Sequence, residues 1–111
     1  MPKAEKPLVW LAGEIKSPPF TVEGRIEAGT LLRRLQQGES LGPPSSKPMP
    51  IIGQACHELR IPDAGKNWRI FYHLDADCIV ILDIHHKTTQ KTPQHVLDLC
   101  SRRLKRYHTC S

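Results

Sequence analysis

The sequence predicts an α+β fold in the order β-α-β-β-β-α. Three observations carry this reading. Residues 56–61 (C-H-E-L-R-I) and 68–74 (W-R-I-F-Y-H-L) alternate between apolar and polar side chains, and residues 78–84 (C-I-V-I-L-D-I) form a more continuous apolar run. Two other stretches repeat their apolar residues at helical spacing. Turn-forming residues separate all of these segments.

Residues 7–12 (P-L-V-W-L-A) read as a short strand stopped by Gly13. Pro18 and Pro19 make the next stretch a loop. Thr21 then serves as an N-cap, with Glu23 in the first turn of a helix. Ala28, Leu31, Leu32 and Leu35 supply its buried stripe, and Gly38 its stop. Gly24 and Gly29 weaken this helix and mark a bend or a close approach. Residues 41–53 hold Gly42, Pro43, Pro44, Ser45, Ser46, Pro48 and Pro50. They read as a long connector, either a plain crossover or a mobile binding loop.

The strand-like runs follow. Along 68–74, Trp68, Ile70 and Tyr72 share one face, and Arg69, Phe71 and His73 the other. Residues 62–67 and 75–77 suit hairpin links, and the apolar run at 78–84 suits a central strand. Thr92 and Pro93 then open a last helix, with Val96, Leu97, Cys100 and Leu104 apolar and Arg102, Arg103, Lys105 and Arg106 in its final turns.

A length of 111 residues suits one domain over 1–111. With 39% hydrophobic and 24% charged residues, the composition excludes a disordered tail. Lys and Arg outnumber Asp and Glu by 16 to 11, and the formal charge of +5 favours a polyanionic partner. No signal peptide opens the chain and no run reaches the length of a membrane span, so a cytoplasmic protein with reduced thiols is expected. The four cysteines form no C-x-x-C pair, and Cys56, Cys78 and Cys100 sit in apolar patterns that suit buried thiols.

The chemistry concentrates in three places. Residues 85–93 (H-H-K-T-T-Q-K-T-P) pack two imidazoles, two ammonium groups and three hydroxyls between a strand end and a helix N-terminus. That is either a phosphate site or a polar turn. Arg60 and Arg69 sit in neighbouring strand-like runs; they could clamp a phosphate, or pair with Glu58 or Asp83. His57, His73, His85, His86, Cys56 and Cys78 raise the question of a metal, but no ligand-spacing motif supports one, and no cofactor is expected. His95 and His108 read as solvent groups. Tyr72 reads as core, and Tyr107 as a base-stacking residue or a helix-end packing residue.

Taken together, C-H-E-L-R-I, W-R-I-F-Y and I-V-I-L-D-I-H-H-K-T-T-Q-K-T-P (79–93) resemble the RelE/ParE toxin superfamily, closest to its HigB-like, phage-derived branch. That branch reads H-E-L-R, then W-R-x-x-Y, then a strand ending in F-x-K-K-T-Q-K-T-P. R-I-E-A-G-T-L-L-R-R-L-Q-Q-G-E (25–39) resembles its first long helix. The resemblance spans about residues 7–107. It implies a RelE-like fold, with a small, mostly antiparallel four-stranded sheet packed against helices.

It also implies a toxin of a type II toxin–antitoxin system. Relatives of RelE and HigB are ribosome-dependent mRNA endoribonucleases; they promote attack of a ribose 2′-hydroxyl on its phosphate without metal and inhibit translation. ParE relatives inhibit DNA gyrase without enzymatic action. The gyrase inhibitor and an inactive prophage relic of the same fold are the alternative readings.

Carried over by motif, His85, Arg69, Lys87 and Asp83 are the catalytic candidates, with His85 as general base or acid. Arg60 and Lys91 are the phosphate-binding candidates from the motifs, joined by Arg102, Arg103, Arg106 and Tyr107 from the basic last helix. Thr88 stands where the branch has its second lysine, which removes a cation from the site. The implied partners are the ribosome, mRNA and a helix-turn-helix antitoxin. The antitoxin is expected to mask the basic face of Arg60, Arg69, Lys87 and the last helix.

Overall fold

The computed structural model describes residues 5–17, 19–87 and 91–110, and the side chains of Lys87 and Cys110 lie outside that description. The elements are β1 (Leu8–Trp10), α1 (Val22–Gln36), β2 (Ser46–Pro48), β3 (Cys56–Asp63), β4 (Lys66–Leu74), β5 (Ile79–Lys87) and α2 (Gln94–Cys110). They form an α+β fold around one five-stranded sheet in the order β1-β5-β4-β3-β2. β1 runs parallel to β5, and every other pairing is antiparallel.

The sheet therefore has one strand more than the four expected. The extra strand, β2, comes from the long connector. Its proline-rich sequence hides a strand because proline is compatible with an edge, where half of the backbone groups need no strand partner. Ser46, Lys47 and Pro48 pair with Leu59, Glu58 and His57. This covers the outer edge of β3 and turns part of the connector into sheet.

The β3–β4 hairpin is tighter than residues 62–67 suggested. Pro62 pairs with Asn67 and Asp63 with Lys66. Only Ala64 and Gly65 remain in the turn, with φ of 49° and 83°. Positive φ at both central positions is what a two-residue hairpin needs to match strand twist. Beyond the turn, β5 runs on through His85 and His86 to Lys87, so these residues belong to a strand and not to the loop expected from 85.

α1 begins where Thr21 predicts. The Thr21 hydroxyl accepts from Gly24 N at 3.0 Å, while Thr21 N donates to the Asp63 carboxylate at 3.0 Å. Asp63 also accepts from Trp68 Nε1 at 3.0 Å, which ties the helix start to the hairpin. A Cβ at position 24 would collide with that carboxylate, so the close approach requires glycine. Gly29 meets nothing comparable. Gly38 follows the helix with φ of 90°, the left-handed stop.

The alternation along β3 and β4 sorts two cores onto the two sheet faces. On one face Leu31 and Leu35 of α1 pack with Phe20, Leu59, Ile61, Trp68, Ile70, Tyr72 and Ile81, and Phe20 stacks on Trp68 at 4.0 Å. On the other, Val96, Leu97, Cys100 and Leu104 of α2 pack with Cys56, Phe71, Val80 and Leu82. α2 starts at Gln94, one residue after the first helical position expected at Pro93, because Pro93 takes the cap position expected of Thr92: its carbonyl accepts the first helical bond, from Leu97 N. Among the described residues no helix is long and apolar enough to cross a membrane.

Candidate functional site

α2 covers only one end of its sheet face. The pairing of β3, β4 and β5 leaves a row of three side chains at the other end. Arg60 is the register partner of Arg69, and Arg69 of His85. Adjacent strands lie about 4.8 Å apart, so this row spans three neighbouring strands on one side of the sheet. His86 falls on the opposite face, edge-on to Trp68 at 5.4 Å.

The next row toward α2 supplies the counter-charges. Glu58, only 1% exposed, holds both arginines through Oε1: Arg60 Nε donates at 2.9 Å and Arg69 Nη1 at 2.5 Å. Thr92, just before α2, donates to Glu58 Oε2 at 3.3 Å, so its hydroxyl braces the carboxylate. Burial pushes the Glu58 carboxyl up, and the two guanidinium groups overcome this and leave it below its ordinary value. Of the two arrangements weighed for Arg60 and Arg69, the structure shows the ion pair, with Glu58 and not with Asp83, and it places the two residues in register on adjacent strands.

Asp83 repeats the pattern on β5. Arg103 donates to Asp83 Oδ1 at 3.1 Å and to the Leu82 carbonyl at 2.7 Å, and His85 Nδ1 lies 3.7 Å from Asp83 Oδ2. That last separation is beyond hydrogen-bond reach. Burial raises the Asp83 carboxyl, but His85 and Arg103 outweigh it, so it too is held below its ordinary value. The His85 ring lies over Phe71 at 5.6 Å and 18°. Among the described residues, Arg69 Nε and both ring nitrogens of His85 are buried without a hydrogen-bond partner.

Two members of the row, Arg60 and Arg69, line a depression of about 630 Å³ together with Glu27, Pro44, Ser45, Lys47, Pro62 and Asn67, and His85 is not among its lining residues. Lys47 is the residue that sequence reading missed. It lies within the connector, and only the pairing of β2 with β3 brings it opposite Glu58. No motif marks it.

The remaining candidates divide. Arg103 joins the site through Asp83. Arg102 and Arg106 are exposed on α2. Tyr107 donates to Asp75 Oδ2 at 3.0 Å and sits 3.1 Å from Cys78 Sγ, at the β4–β5 turn. Asp75 lies six residues along the chain from Arg69, on the order of 20 Å at strand rise. The structure thus does not bring Tyr107 to the row; its hydroxyl anchors the end of α2.

Lys91 lines a neighbouring depression of about 480 Å³ with Lys47, Ile51, Thr92 and Gln94. Lys87 closes β5, and its side chain, with Thr88, lies outside the described residues. His95 and His108 are both exposed, as expected, and His108 also packs edge-on against His73 at 5.2 Å.

Cys56, Cys78 and Cys100 are free and buried. Burial pushes Cys56 up to about 11 and Cys100 to about 12, which leaves those thiols protonated at neutral pH. Among the described residues no three His, Cys, Asp or Glu side chains gather as a metal-binding group.

Comparison with known proteins adds the family. The model for phage-derived protein Gp49-like (DUF891) matches residues 20–105. The chain belongs to the Gp49-like family. The family is phage-derived, and membership is consistent, at a coarse level, with a toxin of a toxin–antitoxin pair. The match takes in α1, the β3–β4 hairpin, β5 and most of α2, and with them the whole Arg60–Arg69–His85 row. No curated protein and no solved structure matches the chain.

Proposed function

We propose that this Gp49-like protein is the toxin of a type II toxin–antitoxin pair and cleaves mRNA on the ribosome. The observation that supports this reading is the Arg60–Arg69–His85 row, where two guanidinium groups and an imidazole adjoin on one sheet face. Guanidinium groups suit the non-bridging oxygens of a phosphate. His85, stacked on Phe71 and 3.7 Å from Asp83, suits the proton transfers.

In the reaction the ribose 2′-oxygen bonds to the adjacent phosphorus and the bond from phosphorus to the 5′-oxygen breaks. The 2′-hydroxyl proton passes to the base, and a proton reaches the departing 5′-oxygen. Arg60 and Arg69 offset the charge that gathers on the phosphate. Lys87, Lys91 and Arg103 complete the proposed set around the row, and Arg102 and Arg106 extend it along α2; Tyr107, held at the β4–β5 turn, is left out of it. The antitoxin, a helix-turn-helix protein, covers the same basic face.

Induced expression in bacteria followed by primer extension on cellular mRNA tests the proposal. Growth arrest with codon-phased cuts is expected, and His85→Ala and Arg69→Ala should both abolish the cuts. Growth arrest with intact mRNA and damaged DNA would replace the nuclease with a gyrase inhibitor. A second reading has its own observation: Glu58 already neutralises part of the Arg60–Arg69 charge, which favours a face that binds RNA without cutting it. In that case wild type gives no cuts and no arrest, yet still binds RNA.

A further inference from the structure

The charge on β2 is not accounted for by the row. Lys47 stands opposite Glu58 in register, yet both Glu58 oxygens are engaged, Oε1 by Arg60 and Arg69 and Oε2 by Thr92. Among the described residues Lys47 is exposed and makes no ion pair. It lies two strands from Arg69, roughly 10 Å across the sheet. Its side chain lines both depressions: the one of about 630 Å³ with Arg60 and Arg69, and the one of about 480 Å³ with Lys91, Thr92, Gln94 and the exposed Ile51. Within the first, Lys47, Arg60 and Arg69 face Glu58 and, from α1, Glu27, so positive charge remains in excess.

We infer that Lys47 binds the phosphate next to the one held by Arg60 and Arg69, so that a single-stranded polynucleotide runs across the β2 edge from the first depression into the second. The inference rests on the RNA reading above and extends it from one phosphate to a track of at least two. A lone cation at an edge suits this role. Lysine is a compact point charge that needs no fixed geometry, whereas the paired arginines form a fixed fork. A positively charged groove that tracks the backbone is the usual design for single strands, and Ile51, 63% exposed, gives the second depression an apolar border. Glu27 opposes the same anion and should weaken its binding.

The test is the salt dependence of binding, read by fluorescence anisotropy with 2′-O-methyl RNA, in which no 2′-hydroxyl can attack. For single strands each neutralised phosphate contributes about 0.7 to the slope of log K against log salt. Lys47→Ala should reduce that slope by about 0.7 on a hexanucleotide and leave it unchanged on a dinucleotide with one phosphodiester. Lys47→Arg should restore it, and Glu27→Gln should tighten binding severalfold.

If wild type binds the hexanucleotide and Arg60→Ala weakens it, but Lys47→Ala changes neither slope nor affinity, the Lys47 inference alone is wrong. If wild type binds no RNA but Lys47→Glu disrupts the complex with an acidic antitoxin, the surface serves a protein and the inference is overturned. If wild type binds neither, the RNA reading falls with it. Urea unfolding of Lys47→Ala should match wild type, because the side chain is exposed at an edge.

Discussion

The sheet face under α2 is two surfaces made by the same three strands. At one end Cys56, Phe71, Val80 and Leu82 close against Val96, Leu97, Cys100 and Leu104, as an ordinary core does. At the other end, on the same face, Glu58, Arg60, Arg69 and His85 are held by ion pairs and ring contacts. Arg69 and Glu58 are nearly as buried as the leucines, at 6% and 1% exposed. Two charges have thus been taken out of water where apolar side chains of similar size would pack at less cost. The difference teaches that equal burial carries different weight at the two ends: apolar packing at the closed end is direct evidence of stabilisation, and a paired charge at that depth is weak evidence of it.

The largest effect should come from breaking that pair on one side only. Glu58→Ala leaves two guanidinium groups facing each other, Arg69 among them buried without a counter-charge, and should cost about 3–5 kcal/mol in urea unfolding. Replacing Glu58 and Arg69 together with apolar residues should recover most of the loss. If the single change costs no more than a surface substitution, the open end is not buried as described and the contrast disappears.

At the closed end, Leu82→Ala should cost about 2–5 kcal/mol by transfer and cavity terms. It should do so without a salt dependence, because no charge is involved. A third carboxylate sharpens the contrast. Asp63 is buried like Glu58, but it is held by the neutral donors Thr21 and Trp68 and presses against Gly24. Gly24→Ala should therefore overpack α1 against Asp63 and cost about 1–3 kcal/mol, checked by the same unfolding curve.

How much of this could be read in the chain depends on what each residue answers to. The alternation at 56–61 and 68–74 was enough to sort Trp68, Ile70 and Tyr72 from Arg69, Phe71 and His73, because period two is a local property of a strand. It also brought Arg60 beside Arg69, since one tight turn fixes the register. β2 was hidden because its pairing depends on the edge it meets and not on its own pattern. For the same reason Lys47 carried no signal.

The reach of β5 to Lys87 was missed because polar residues at the end of an apolar strand resemble a loop when no partner is in view. The Arg69–His85 pairing follows from that extension. Tyr107 shows a different limit. The sequence leaves it between base stacking and helix-end packing, and the structure gives the second: Asp75 is contributed by a turn 32 residues earlier, and only the fold brings the two together.

The smallest effect is in pH, and it belongs to neither arginine. His57 and His73 are both held below the ordinary imidazole value of 6.5, mainly by burial. For His73 the bond to the Gln54 carbonyl works against this, and His108, Asp75 and His57 add smaller influences of either sign. Because Nδ1 lies 2.9 Å from a carbonyl that can only accept, the neutral ring carries its proton there. Unfolding frees both imidazoles to take up protons that the folded chain refuses. Stability is then fully present above about pH 6.5 and is lost as pH falls through the folded values. Glu58 and Asp83, both lowered, add a separate loss at more acid pH, below the ordinary carboxylate range. Urea midpoints at pH 7.5 and 5.5 should differ, and His73→Gln should shrink that difference while His95→Gln, at an exposed site, leaves it intact. An unchanged difference in His73→Gln would move the acid sensitivity to His57 or to the carboxylates, and the closed end would lose its one titrating weakness.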